Sequence, residues 1–215
     1  MNLDEKEMGK LFSKTFIDMQ DENKVFELYS IFKYLRGEFP IDKLKYNILD
    51  GREESFARFE DESYLYEIYH DSIGRNGISF NIGRKEIEDS GNLYLERKLK
   101  ILDKKATIYK ELEDKNSSNN IWSGRPDLLI IKTDKTNNTI IQISIGEIKY
   151  TNDRNYMYTG LEELLEYMYL IKNKNDLYID DILINGILFV DNIKLKKKEF
   201  GEIKIINRSP IRGII

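Results

Sequence analysis

Two apolar runs near the middle of the chain constrain it most. Asp127–Lys132 and Thr139–Lys149 are rich in Leu and Ile, and a polar stretch, Thr133 to Asn138, separates them. Runs of this kind bounded by turn chemistry read as strands. A connection that short makes them antiparallel neighbours. Side chains alternate along a strand, so Ile141, Ile143, Ile145, Glu147 and Lys149 share one face, and Ile140, Gln142, Ser144, Gly146 and Ile148 share the other. Three isoleucines commit the first face to a buried surface, where two charges are costly unless paired or bound. Gly146 is expected to leave the opposite face open at that level. Asp127, opening one strand, lies level with Glu147 and Lys149, closing the other. Two carboxylates and an ammonium at one end of a sheet can hold a divalent cation over a phosphodiester.

The chain carries its own control for this motif. Gly-Glu-Ile-Lys occurs at 146–149 and again at 201–204. Only the first copy has a Pro-Asp strand before it and a helix after it. Glu202 and Lys204 are therefore read as solvated strand residues, and the context, not the tetrapeptide, carries the argument.

Around this hairpin the pattern alternates between helix and strand. Val25, Leu28, Tyr29, Phe32 and Leu35 recur at helical spacing, predicting a helix over 21–36 that stops at Gly37 and Pro40. Residues 53–71 predict two strands around Asp61-Glu62-Ser63. Leu95, Leu99, Leu102, Ala106, Tyr109 and Leu112 favour a helix, although Asp103-Lys104-Lys105 would also suit a hairpin turn. Asp114 to Asn120 reads as a polar loop. A helix at about 155–173 and strands at Asn185–Asp191 and Glu202–Asn207 complete the series. This order predicts an α/β fold, a mixed central sheet flanked by helices. It fits a single domain over 1–215, with a lead-in helix at 1–20 and an insertion at about 74–120.

Composition limits the chemistry. Without cysteine there is neither a disulfide nor a thiolate metal site, and the single histidine, His70, cannot build a zinc site and is read as structural. The first residues lack a secretory h-region, and the longest apolar stretch, Ile182 to Val190, is too short for a bilayer. A cytoplasmic protein without membrane contact is expected. A net charge of −4 and a pI near 5.3 mean that phosphate affinity must be local. Lys194, Lys196, Lys197 and Lys198 form the densest basic run, read either as a phosphate patch or as a solvated turn. There is no P-loop sequence.

Gly124-Arg125-Pro126-Asp127 with its apolar run, Gly146-Glu147-Ile148-Lys149-Tyr150, and the following helix with Glu162-Glu163-Leu164-Leu165-Glu166-Tyr167 resemble the PD-(D/E)xK nuclease superfamily. Val25 to Leu35 is similar to the helix with an aromatic-Glu-Leu-aromatic motif in nuclease subunits of McrBC-type modification-dependent restriction systems. The resemblance covers roughly 21–36 and 53–191, interrupted over 74–120. It implies a restriction-endonuclease-like fold and hydrolysis of phosphodiester bonds, in DNA or else RNA, in defence, mobile-element or repair processing. It further implies Mg²⁺ or Mn²⁺ on Asp127 and Glu147, and Lys149 positioning or activating the attacking water. Glu27 would reach the metal through a water. Glu163 stands where relatives often carry Gln, with Tyr167 as the tyrosine that follows; the acid leaves its role open. Arg125 would reach a phosphate or solvent. An NTPase or recognition subunit would be a separate chain. A catalytically silent nuclease-fold subunit that binds DNA or a partner is the rival expectation. The oligomeric state is not legible.

Overall fold

The computed structural model describes residues 21–47, 55–113, 120–175 and 177–208. The expected lead-in helix at 1–20 and all but the last residue of the expected loop at 114–120 lie outside the described residues. The chain divides into two compact units. The first takes the described residues up to Ser72, Pro126–Met168 and those from Asp180 onward; the second takes Ile73–Arg125 and Tyr169–Ile179.

The first unit is mixed α/β. Its sheet has eight strands: β1 (Lys45–Tyr46), β2 (Ala57–Glu60), β3 (Tyr64–His70), β6 (Leu128–Asp134), β7 (Thr139–Lys149), β8 (Leu183–Asp191), β10 (Ile203–Arg208) and β9 (Glu199–Phe200), in that spatial order. Pairing is antiparallel except at β7–β8 and β8–β10, which are parallel. β6 runs two residues further than the sequence suggests, to Asp134, and a register shift between Lys132 and Thr133 absorbs the extra length. The turn is closed by Asp134, whose carboxylate accepts the Thr136 N–H at 2.8 Å.

Helix α1 (Glu22–Glu38) is capped by Asp21, which accepts the N–H groups of Asn23 and Lys24. It ends at Phe39, before Pro40, where the helical conformation is disfavoured. Its buried residues are Phe26, Leu28, Ser30, Ile31, Phe32 and Leu35. They pack with Ile68, Leu128, Ile130, Ile148, Ile187 and Phe189 on one face of the sheet. This differs from the expected stripe: Val25 and Tyr29 are only half-buried, whereas Ser30 and Ile31 are fully buried. The covered face is rotated toward the side that carries Glu27.

Helix α4 (Arg154–Leu170) covers the opposite sheet face. A Cβ on Gly186 of β8 would meet Met168 Sδ at 2.5 Å and Leu164 Cδ2 at 3.2 Å. Alternation along β8 sets Gly186 and Leu188 toward α4 and Ile187 and Phe189 toward α1. Gly146 does not leave open space, as the sequence suggested. A Cβ there would lie 2.9 Å from Leu128 Cβ and 3.4 Å from Phe189 Cε2, so this glycine permits close strand packing.

The second unit holds α2 (Arg84–Glu88), α3 (Leu93–Glu113) and the antiparallel pair β4 (Asn81–Gly83) and β5 (Asn120–Ser123). The helical period over 95–112 thus prevails over the hairpin alternative. Lys172 is buried and paired with Glu86 at 2.7 Å, and Tyr178 donates to the other oxygen of the same carboxylate. Gly74, at φ +123, lies where a Cβ would come within 2.2 Å of the Ile78 carbonyl oxygen. No described helix is long and apolar enough to cross a membrane.

Candidate metal centre

The β6–β7 ladder ends at the pair Leu128–Gly146, which puts Asp127 opposite Glu147, one residue beyond it. β7 continues past the end of β6 alongside β8. Ile148 N–H, beyond the last β6 partner, donates to Asp127 Oδ2 at 2.7 Å. The Asp127 carboxylate thus stands in for the missing strand backbone and is fixed by it. On its other side the chain stays joined to β3, with the Asp71 N–H on the Asp127 carbonyl and the Ser72 N–H on that of Pro126.

Glu147 is 3 % exposed. Its Oε1 takes a 2.7 Å contact from Lys149 Nζ; its Oε2 is buried without a hydrogen-bond partner. A buried carboxylate oxygen left bare is costly. Burial, followed by the charge of Asp127, raises the Glu147 carboxyl well above the ordinary range. Asp127 is raised in the same direction, by burial and then by the charge of Glu27, against the pull of the Ile148 N–H and Lys149.

Lys149 lies between two acids, 2.7 Å from Glu147 Oε1 and 2.6 Å from Glu163 Oε2. Burial disfavours its charge, but the two hydrogen-bonded carboxylates outweigh that and raise its pKa. Gly160 on α4 makes room for its stem, since a Cβ there would meet Lys149 Cγ at 2.6 Å. Glu163 is therefore a direct partner of the lysine. Tyr167, one turn further along α4, is half-buried.

Glu27 faces this cluster from α1, and its charge is felt at Asp127. Its Oε1 also receives Lys24 Nζ at 2.7 Å and lies against Nε2 of His70. Asp71 completes the group through Oδ2, 3.2 Å from Lys24 Nζ. Glu27, His70 and Asp71 each offer a ligand atom, all within 4.8 Å of one another. Lys24, His70 and Asp71 were not legible as site residues. The available signal was register: His70 closes β3 opposite Leu128, next to Asp127. His70, read from the sequence as structural, lies with its ring against the Glu27 carboxylate.

Other candidates fall elsewhere. Lys194, Lys196, Lys197 and Lys198 are exposed on the connection after β8, where the Lys194 carbonyl accepts from Arg154 at 2.9 Å. Arg125 is exposed and closes the longer segment of the second unit. Glu202 and Lys204 are exposed. No family model, curated protein or solved structure matches the chain.

Proposed function

We propose that the first unit is a restriction-endonuclease-like domain that hydrolyses phosphodiester bonds in DNA with Mg²⁺ or Mn²⁺. The observation that carries this reading is the buried, unpartnered Oε2 of Glu147 beside the Asp127 carboxylate. Two carboxylates without thiolates form a hard oxygen site, which suits these ions. Asp127 and Glu147 would hold the ion, which supplies Lewis-acid polarisation of the phosphoryl oxygen and a more acidic water. Asp127 is pre-oriented for this by Ile148, so little ordering remains when a ligand arrives. Lys149 retains its proton, so it serves as a fixed cation facing the charge that develops on phosphate rather than as the base. Glu27 orients a water from the α1 side and raises the negative potential at Asp127. The lysine run after β8 is the candidate contact to the nucleic-acid backbone.

One observation favours a second reading, a silent nuclease-fold subunit that binds DNA or a partner. Glu163 takes one of the Lys149 hydrogen bonds, so the lysine is engaged before any phosphate arrives. A separate NTPase or recognition subunit fits either reading. The deciding experiment is cleavage of duplex and single-stranded DNA, and of RNA, with Mg²⁺ or Mn²⁺. Wild type should cut a DNA substrate, Asp127→Ala should lose both metal binding and cutting, and Glu202→Ala and Lys204→Ala should retain both. Metal binding without cleavage would favour the silent subunit. Equal losses from both copies of Gly-Glu-Ile-Lys would refute the assigned centre.

A further inference from the structure

Beside the proposed centre lies a second position built for a cation, and the chain fills it with its own side chain. Lys24 Nζ is 2.7 Å from Glu27 Oε1, 3.2 Å from Asp71 Oδ2 and 3.3 Å from His70 Nε2. An ammonium has three N–H donors; here two are matched by the carboxylates, and His70 Nε2, already engaged with Glu27 Oε1, stands beside the ammonium. Those same groups are spaced as metal ligands would be. His70 and Asp71 are adjacent in sequence, and a continuing strand would send them to opposite faces. They converge because Asp71 leaves the strand in the left-handed conformation, at φ +54. That conformation is unfavourable for a residue with a Cβ.

We infer that Lys24 is a resident cation that occupies the second ion position, so that the centre takes one divalent ion per chain instead of two. This deepens the proposed function and rests on it for the first ion only. In two-ion hydrolytic centres, a second ion beside the first neutralises acids and clamps substrate oxygens. Here the ammonium neutralises Glu27 and Asp71 without needing free metal, and it holds Glu27 on the α1 side of Asp127. Lys24 is thus a positioning residue that sets ion stoichiometry. Removing it leaves two carboxylates and an imidazole, a set of three protein ligands that suits Zn²⁺ or Mn²⁺.

The test is ion stoichiometry, by calorimetry with Mn²⁺ and by equilibrium dialysis with Zn²⁺, on the whole chain. Wild type and Lys24→Arg should bind one Mn²⁺. Lys24→Ala and Lys24→Met should bind two, and the added ion should disappear in Lys24→Met/His70→Ala. In Lys24→Met/Glu147→Gln the first ion should be lost and the added one kept, which separates this inference from the proposed function. Zn²⁺ at about a hundred times its Kd should raise the Tm of Lys24→Met by roughly 5–10 °C more than that of wild type. Unchanged stoichiometry in both lysine variants, or two ions in wild type, overturns the inference. A Lys24→Met chain that fails to fold and is not recovered by Zn²⁺ overturns it equally.

Discussion

Neutralising Glu147 should strengthen the metal-free protein and weaken the metal-loaded one. Glu147 is buried, with one oxygen on Lys149 and the other bare. In the folded chain its carboxyl is pushed up to about 9 and that of Asp127 to about 7, against ordinary values near 4. A raised acid binds its proton more tightly in the folded state. It therefore contributes stability that is fully present below the ordinary value and is lost as pH rises through the folded one. Wild type without metal should lose stability from about pH 4 to about pH 9 through these two groups. Each tenfold gain in proton affinity on folding corresponds to about 1.4 kcal/mol. Water entry and local relaxation reduce the full sum, and about 2 kcal/mol is the expected gain for Glu147→Gln at pH 8. For a chain of this length that corresponds to a Tm rise of about 4–8 °C.

The gain should shrink toward zero at pH 5, close to the carboxyl's ordinary value, where holding the proton in the folded chain costs little relative to the unfolded one. Saturating Mn²⁺ should reverse the order, because it stabilises wild type by mass action while the variant has lost a ligand. Differential scanning fluorimetry from pH 5 to 9, with EDTA or with Mn²⁺, measures all three effects. A variant less stable than wild type at every pH without metal would refute the reasoning. So would a gain of equal size at pH 5 and pH 8.

Three further outcomes test other residues of the proposed centre and the proposed nucleic-acid contact. Gly160→Ala should place a methyl group against the Lys149 stem, cost about 1–3 kcal/mol and cut nuclease turnover while metal binding persists; unfolding curves and cleavage rates measure both. Glu27→Gln should lower turnover by roughly one to two orders of magnitude. It should also move the pH midpoint of Mn²⁺ binding downward, because the charge that raises Asp127 is gone; an unmoved midpoint in calorimetry would separate Glu27 from the centre. Neutralising Lys194, Lys196, Lys197 and Lys198 together should weaken DNA binding across sequences and reduce the slope of log K against log salt by up to about 3.6. An unchanged slope returns that run to a solvated turn.

The hairpin was legible because strand alternation and a short turn leave few ways to arrange Asp127, Glu147 and Lys149. The helix over 21–36 was legible in position but not in facing. Its periodic stripe included Val25 and Tyr29, whereas the structure buries Ser30 and Ile31. A small polar residue beneath a sheet gives no hydropathy signal, so the rotation that carries Glu27 to the sheet side was hidden. Gly146 misled for a related reason: a missing side chain means either open space or a close approach, and only the facing residues, Leu128 and Phe189, decide which. Lys24 and Asp71 were hidden because they lie more than forty residues apart, and because a left-handed backbone at Asp71 breaks the alternation that strand reading relies on.

The same cluster bears on the proposed action of an acidic protein on a polyanion. Among the described residues, the carboxylates of Glu27, Asp71, Asp127, Glu147 and Glu163 are gathered around only two ammoniums, Lys24 and Lys149. Such an excess of negative charge in a half-buried site is relieved by protons or by a cation. Burial, and then the neighbouring acids, favour protons on Asp127 and Glu147, and a divalent ion would have to displace them. Metal binding by the proposed centre must therefore release protons, and its apparent affinity should rise with pH as long as the raised pair of carboxyls still holds a proton. Without the ion Glu147 holds a proton and Asp127 carries the charge; the divalent ion would replace that proton and leave the pair neutral, one positive charge more than before, with Lys149 beside it and Glu163. DNA binding and metal binding should thus be linked in this chain. Mn²⁺ should tighten DNA binding by wild type and leave binding by Asp127→Ala unchanged. Equal DNA affinity with and without the ion in wild type would show that the nucleic acid does not engage this end of the sheet.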